Sequence, residues 1–393
     1  MKTHPSPRRP ARLQHVAGIG VDRMGTIADA SGRDFLRLEN LDTDVPPDPE
    51  AVARTREAAS EDDANSYLPF VGNTRLREAA ARHVSALCGV HYTRDNVVIS
   101  AGGLSGILNA LLALVDVGDE VIVTDPTYAG LLNRVRLAGG VPVQVPFAFH
   151  PGAPWQLDRD ALRGAVTSRT RAMLLMSPSM PSGGVLGAED WSLVAELCVR
   201  HDLLLILDSA MERLLFDGRR VIHPAGLPGM AERTVTVGAA SKELRMIGWR
   251  VGWTVAPDHL MPDLVAVSLA NVVVPVGIAG EAAAIALERS RETLPAYVQE
   301  LQRRRDTVAE ELRDLPFGMP GGGWSLLLRV SDFGIDGAAM SARLLDEGVC
   351  ATGMAGWGRA HGEHYIRFVF ANEKAERLRG LGVRVRRALG IAA

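Results

Sequence analysis

From about residue 75 onward, short runs of consecutive apolar, often β-branched residues alternate with longer stretches in which apolar positions recur every three or four residues. The runs at 96–100, 120–124, 141–145, 172–176, 203–207, 234–237 and 251–255 read as strands. They lack the polar alternation of a half-exposed sheet, so burial on both faces is expected. Between them, 104–114, 128–138, 189–201 and 262–271 have helical periodicity and are bounded by Gly, Pro or Asp. Alternation of this kind predicts an α/β protein with a mainly parallel seven-stranded sheet.

The pattern changes near residue 280. A long charged amphipathic helix is predicted over 281–313, followed by strands at 324–330 and 365–370 and helices at 337–346 and 373–389. A smaller α+β unit is implied. Residues 1–50 hold only a short strand candidate, 35–38, before the Pro-rich stretch 45–49. The expected division is therefore an N-terminal segment, 1–50, packing on the small domain; a large domain, 51–285; and a small C-terminal domain, 286–393. The most apolar window, 264–287, is interrupted by Ser268, Asn271, Pro275 and Glu281. A membrane span needs about 20 nearly uninterrupted apolar residues, so a buried segment or subunit interface is expected there.

Composition fits this picture: of 393 residues, 47% are hydrophobic and 23% charged, enough for a large core and too apolar for a disordered chain. The formal net charge of -3 gives no field to gather nucleic acid or an anionic membrane, so neither is an expected partner. A DNA-binding regulator would need an added domain, for which the roughly 35 residues before the first strand candidate leave little room. Cys88, Cys198 and Cys350 form neither a CxxC pair nor a closely spaced framework. Free thiols, a reducing compartment and no metal site follow as expectations. The N-terminus has charge and proline but no apolar core of a signal peptide, so a cytoplasmic location is expected.

Of 43 basic residues only three are lysines, Lys2, Lys242 and Lys374. Lys242 follows a predicted buried strand, within Gly238-Ala-Ala-Ser-Lys-Glu-Leu-Arg-Met-Ile-Gly-Trp-Arg250. A loop lysine is usually a solvated charge. Here its neighbours are small, and the other two lie near a terminus and on a C-terminal helix, so an amine nucleophile for a Schiff base would have to be Lys242. Asp208 closes the run Leu203-Leu-Leu-Ile-Leu207, at the strand edge where open α/β sheets build ligand sites. It either caps the next turn or pairs with a protonated heterocyclic nitrogen of the kind pyridoxal phosphate carries. In Val97-Val-Ile-Ser-Ala-Gly-Gly-Leu-Ser105 a strand meets Gly102 and Gly103 and then a helix with Leu104 in its first turn. This is either a plain tight turn or a phosphate-binding helix N-terminus, to which Arg250 could add a guanidinium. Tyr128, in Asp-Pro-Thr-Tyr, is either core or a ring stacked on a planar cofactor.

Taken in chain order, these residues resemble the class I/II aminotransferases of the fold-type I pyridoxal-phosphate enzymes, over nearly the whole chain from about Arg12 to Leu389. The resemblance implies pyridoxal 5'-phosphate as cofactor and a large domain plus a smaller α+β domain. It implies an internal aldimine at Lys242, which would also shuttle the proton, and pairing of Asp208 with the pyridine nitrogen. Tyr128 would stack on the ring, and Gly102, Gly103, Ser241 and Arg250 would hold the phosphate, with Leu104 beside them. The segment Tyr67-Leu-Pro-Phe-Val-Gly72-Asn-Thr-Arg-Leu-Arg resembles one whose tyrosine reaches the phosphate of the neighbouring subunit, implying a homodimer with shared sites. Arg367, in Tyr365-Ile-Arg-Phe-Val-Phe, would grip the substrate α-carboxylate, and Ile19 and Gly20 lie in a segment that sets specificity. Trp324 and Trp357 are either pocket walls favouring a bulky apolar side chain or small-domain core.

The chain also departs from the family. Ser177-Pro-Ser-Met180-Pro-Ser-Gly183 puts Met180 where an asparagine is usual, Met211 replaces a tyrosine three residues after Asp208, and Ala239 replaces a phosphate-binding serine. Thioethers cannot donate a hydrogen bond, so the cofactor's phenolic oxygen loses two expected donors and the aldimine pKa should rise. The expected reaction is transfer of the amino group of an L-amino acid to a 2-oxo acid. The alternative is a lyase, cyclase or oxidase of specialised metabolism on the same scaffold.

Overall fold

The structure, a computed structural model, describes residues 10, 13–16, 18, 20–67 and 69–392. A short strand, β1 (Leu36–Arg37), precedes the large sheet. That sheet contains β2 (Val97–Ser100), β3 (Glu120–Asp125), β4 (Val141–Ala148), β5 (Gln156–Leu157), β6 (Thr170–Met176), β7 (Leu204–Asp208), β8 (Thr234–Ala239) and β9 (Gly252–Val255). Their spatial order is β2-β9-β8-β7-β6-β3-β4-β5. The seven expected strands are all present, and the eighth, β5, pairs antiparallel with the end of β4. Two residues are too few to show a period. The pairs from β4 through β3, β6 and β7 to β8 are parallel, and β9 runs antiparallel to both its neighbours.

All five residues of β7 are buried because alternate side chains enter different cores. Leu204 and Ile206 pack with Ile107 and Leu111 of the helix Gly103–Leu114, whereas Leu205 and Leu207 pack with Trp191 and Val194 of the helix Ala188–Arg200. This two-sided cover removes water from the strand ends. In register, Met176, Asp208 and Val237 lie side by side at the C-terminal edge, and the chain between β8 and β9 turns back over that edge with Lys242.

The remaining strands are β10 (Phe317–Gly318), β11 (Ser325–Arg329), β12 (Val349–Cys350), β13 (Thr352–Gly353) and β14 (Tyr365–Val369). Four form an antiparallel sheet in the order β10-β11-β14-β13, while β1 pairs in parallel with β12. The N-terminal segment continues along β14, where the Val369 N–H donates to the Leu38 carbonyl at 2.8 Å. One 35-residue helix, Gly277–Glu311, runs from the large sheet to the small one.

Two local expectations change. Residues 373–389 form two helices, Ala375–Leu378 and Leu381–Leu389, because Gly380 takes a left-handed conformation with φ 83° between them. A helix, Val21–Ser31, stands in the first 50 residues where only a strand was expected. It lies between Gly20 and Gly32, both at positive φ, and its N-terminus has no side-chain cap, so it lacks the polar start signal that betrays most helices.

The site depends on close backbone approach at Gly252 in β9, where a Cβ would lie 2.6 Å from the Gly102 carbonyl carbon and 2.7 Å from the Gly103 nitrogen. Neither neighbour is a flexible side-chain tip. Gly252→Ala is therefore expected to cost about 1–3 kcal/mol, the usual penalty of overpacking, read as a lowered midpoint of denaturant unfolding. An unchanged midpoint would show that the glycine turn can move.

Candidate active site

Asp208 is buried at the end of β7, and its Oδ1 accepts the Ala210 N–H at 3.2 Å. Burial pushes its carboxyl pKa up, opposed by the attraction of Lys242 and by that N–H. Lys242 is partly buried, with Nζ 5.6 Å from the centroid of the Trp324 ring. Burial lowers the pKa of its ammonium, Asp208 acts against that, and the positive charge of Arg367 adds to it. The amine is thus biased toward its neutral, nucleophilic form.

These two groups face a cavity of about 160 Å³. Among the residues singled out in the sequence, Gly103, Leu104, Tyr128, Met180, Asp208, Ser241, Lys242 and Arg250 line it. Leu41, Met176, Ala210, Ala239, Ile247 and Trp324 complete the wall. Gly102 sits just behind. A Cβ there, at φ +89°, would run into the Arg250 guanidinium, so Gly102 lets the arginine close over the helix start. Gly103 begins that helix, whose first N–H groups have no partner within it. Arg250, itself at φ 55°, donates from Nη1 to the Ile247 carbonyl at 2.9 Å.

Arg367 lies in β14, opposite Leu327 and Thr352 on its two neighbours, and is fully buried. Its Nη2 donates to the Glu39 carbonyl at 2.9 Å, and its guanidinium carbon is 4.6 Å from the centroid of Trp357. Among the described residues, Nε and Nη1 have no hydrogen-bond partner. Burial pushes its pKa down to about 10, against the pull of Tyr128 and Glu39. Trp357 also meets the Tyr128 ring edge-on, with centroids 5.2 Å apart, and so joins Arg367 to the cavity wall.

The loop carrying Trp357 is tied to the large sheet. The Thr127 N–H donates to the Trp357 carbonyl at 2.8 Å, and the Arg359 and Ala360 N–H groups donate to Asp125 Oδ2 at 2.8 and 2.7 Å. Arg134 also braces the site, donating from Nε to the Leu104 carbonyl and from Nη1 to the Gly130 carbonyl, each at 2.9 Å. Sequence reasoning did not single out Asp125 or Arg134. The only available signal for Asp125 was its place in Asp-Pro-Thr-Tyr128, and an arginine inside a helix gives none.

Other expected residues lie elsewhere. Met211 is buried but does not line the cavity, with Ala210 there instead. Met180 does line it, and its sulfur accepts from the Ser325 hydroxyl at 3.3 Å, with the Pro181 carbonyl 2.7 Å from the same hydroxyl. Tyr67 is 72% exposed and outside the cavity. Gly20 is exposed, and a Cβ there would approach the Thr352 methyl at 3.8 Å. Ile19 lies outside the described residues. Among the described residues no cluster of His, Cys, Asp and Glu could hold a metal ion, and no helix is long and apolar enough to cross a membrane.

A buried carboxylate beside a lysine of lowered pKa, next to a helix N-terminus with an arginine over it, fits a phosphorylated aldehyde with a ring nitrogen. The two unpaired N–H nitrogens of Arg367 await a further anion. A fold and site of this kind define a pyridoxal-phosphate-dependent enzyme of fold type I. Residues 36–382 match the family described as aminotransferase class I and II. The chain is 32% identical to human kynurenine–oxoglutarate transaminase 1 over 382 residues, 88% of this chain and 90% of the relative. It superposes on N-succinyldiaminopimelate aminotransferase from Mycobacterium tuberculosis with a TM-score of 0.89 at 31% identity, covering 98% of this chain and all of the other. Aspartate aminotransferase from Thermus thermophilus, solved with maleate, gives 0.88 at 28% identity with the same coverage. The chain belongs to the class I and II aminotransferases, and it is a pyridoxal-phosphate-dependent aminotransferase.

The electrostatics give a testable sign. A carboxyl whose folded pKa is raised favours folding fully below its unfolded pKa, and that contribution is lost as pH rises through the folded pKa. At neutral pH, buried Asp208 therefore opposes folding of the cofactor-free protein. Asp208→Asn is expected to raise its melting temperature at pH 7 by about 2–5 °C and to lower turnover of the loaded enzyme by roughly 100-fold or more. A lower melting temperature would show that the attraction of Lys242 outweighs burial.

Proposed function

We propose that Lys242 is the lysine that holds pyridoxal phosphate and moves the reacting proton, and that Arg367 binds the α-carboxylate of both the L-amino acid and the 2-oxo acid. The observation that carries this reading is the buried Arg367 guanidinium, two of whose nitrogens have no partner among the described residues. Leaving such donors unsatisfied is costly, and a carboxylate is the planar anion that can take two N–H groups at once.

When bound, the cofactor supplies an aldehyde that condenses with amines and a ring that accepts electrons. The chain's own residues supply the rest. Asp208 would keep a proton on the ring nitrogen, and Tyr128 would stack on the ring. Gly102, Gly103, Leu104, Ser241 and Arg250 hold the phosphate, using the N–H groups at the helix start and the guanidinium. Lys242, its amine biased toward the neutral form, would take the proton from the substrate α-carbon through Nζ, pass it on within the same half-reaction, and run the same transfer in reverse in the second. Met180 gives a soft wall without a donor beside this chemistry, and Met211 packs behind it.

The same reading places the working unit as a homodimer in the cytoplasm. Tyr67, Phe70, Val273 and Val276 are all exposed, and a Cβ on Gly277 would strike the Ala64 carbonyl, so two adjoining segments each expose apolar side chains. Exposed apolar surface of this kind supports a subunit interface, from which Tyr67 would reach the partner's phosphate. The domain division stays at 285/286, within the helix Gly277–Glu311, and residues 1–50 belong with the small domain that Leu38 borders.

Adding a suitable L-amino acid to the holoenzyme without acceptor should release one 2-oxo acid per site and leave pyridoxamine phosphate. Ammonia release with the cofactor still an aldehyde would contradict the proposal. Arg367→Lys should raise KM for both amino acid and 2-oxo acid roughly 30-fold or more, as loss of a bidentate carboxylate contact demands, and an unchanged KM would remove Arg367 from this role. Sedimentation should give twice the 42.2 kDa of one chain, and Tyr67→Phe should weaken cofactor retention about tenfold by loss of one charge-assisted hydrogen bond. A monomer of full activity would overturn the shared site.

A further inference from the structure

The names of related proteins cover kynurenine, succinyldiaminopimelate and aspartate, so kinship leaves the side chain of the substrate open. The cavity narrows the choice. Once the residues assigned to cofactor and carboxylate are set aside, the wall left for a side chain includes Leu41, Ile247 and Trp324. None carries a charge. Trp324 is 1% exposed and presents its ring toward Lys242, while Leu41 and Ile247 are partly buried at the cavity surface.

Charge accounting points the same way. Among the described residues, the cations at the site are already occupied. Arg134 is spent on two backbone carbonyls, Arg250 closes over the helix start and donates to Ile247, and Arg367 faces the α-carboxylate. A second carboxylate on the substrate would lose its water without gaining a cation. The one carboxylate on the wall, Asp208, is committed to the ring nitrogen of the cofactor, leaving no anion for a cationic side chain.

We infer that the amino donor carries an apolar side chain, branched aliphatic or aromatic, and that Trp324, Leu41 and Ile247 select it. This rests on the placement of the α-carboxylate at Arg367. The selection comes from burying apolar surface and from the lack of a partner for charge, and discrimination of this second kind is the stronger of the two.

Binding of unreactive carboxylic acids to the holoenzyme, followed by calorimetry, separates recognition from chemistry. 4-Methylpentanoate and 3-phenylpropanoate should bind at least tenfold more tightly than succinate or 5-guanidinopentanoate. Trp324→Ala should erase that preference. Because a large buried ring is removed there, Leu41→Arg is the second variant, at a partly buried position, and it should improve succinate binding at least tenfold. Equal or tighter binding of succinate or the guanidino acid to the unaltered enzyme would overturn the inference, as would failure of all four to bind. If succinate wins but amino acids still yield 2-oxo acids, only the substrate class falls. If the apolar acids win and no amino acid transfers its nitrogen, the side-chain assignment stands and the reaction falls.

Discussion

Keeping Asp208, Lys242 and Arg367 close together and away from water is the constraint on which the rest of the structure depends. Each is shifted by burial toward its uncharged form, the carboxyl upward and the two cations downward. Desolvated charge opposes folding, so the surrounding fold must hold it in place. The apolar cores on both faces of β7 do this for Asp208. For Arg367 the task falls to an antiparallel strand buried at every position.

The large sheet presents its charges to one small cavity, and the small sheet holds Arg367 behind the wall of that cavity. Parallel strands ending in register bring Asp208 to the edge over which Lys242 returns. Across the gap, Arg367 in the small sheet is held by the Glu39 carbonyl of the N-terminal segment and the face of Trp357. Trp357 then touches Tyr128, while Asp125 and Thr127, on the same stretch as Tyr128, hold the loop that carries Trp357. Arg367 and the cavity wall are therefore joined through one tryptophan and three backbone N–H groups.

Much of this was legible along the chain because it rests on local pattern. Continuous apolar runs marked the buried strands, and the small residues around Lys242 set it apart from a surface lysine. What stayed hidden has no local period or composition. The strand β5 is two residues long. The helix Val21–Ser31 starts from a glycine without a side-chain cap. Arg134 and Asp125 act by hydrogen bonds to backbone far along the chain, which no spacing records. Counting residues from Asp208 placed Met211 at the cofactor, but the turn after β7 sends Ala210 to the cavity. A fixed offset does not determine where a side chain points once the strand has ended.

Because the chain has only three lysines, the central claim can be tested at one atom. Borohydride reduction of the holoenzyme, followed by peptide mass mapping, locks the cofactor onto the amine that holds it. A single modified peptide is expected, the one containing Lys242, with Lys2 and Lys374 unmodified. A label on either of those, or none on Lys242, would contradict it.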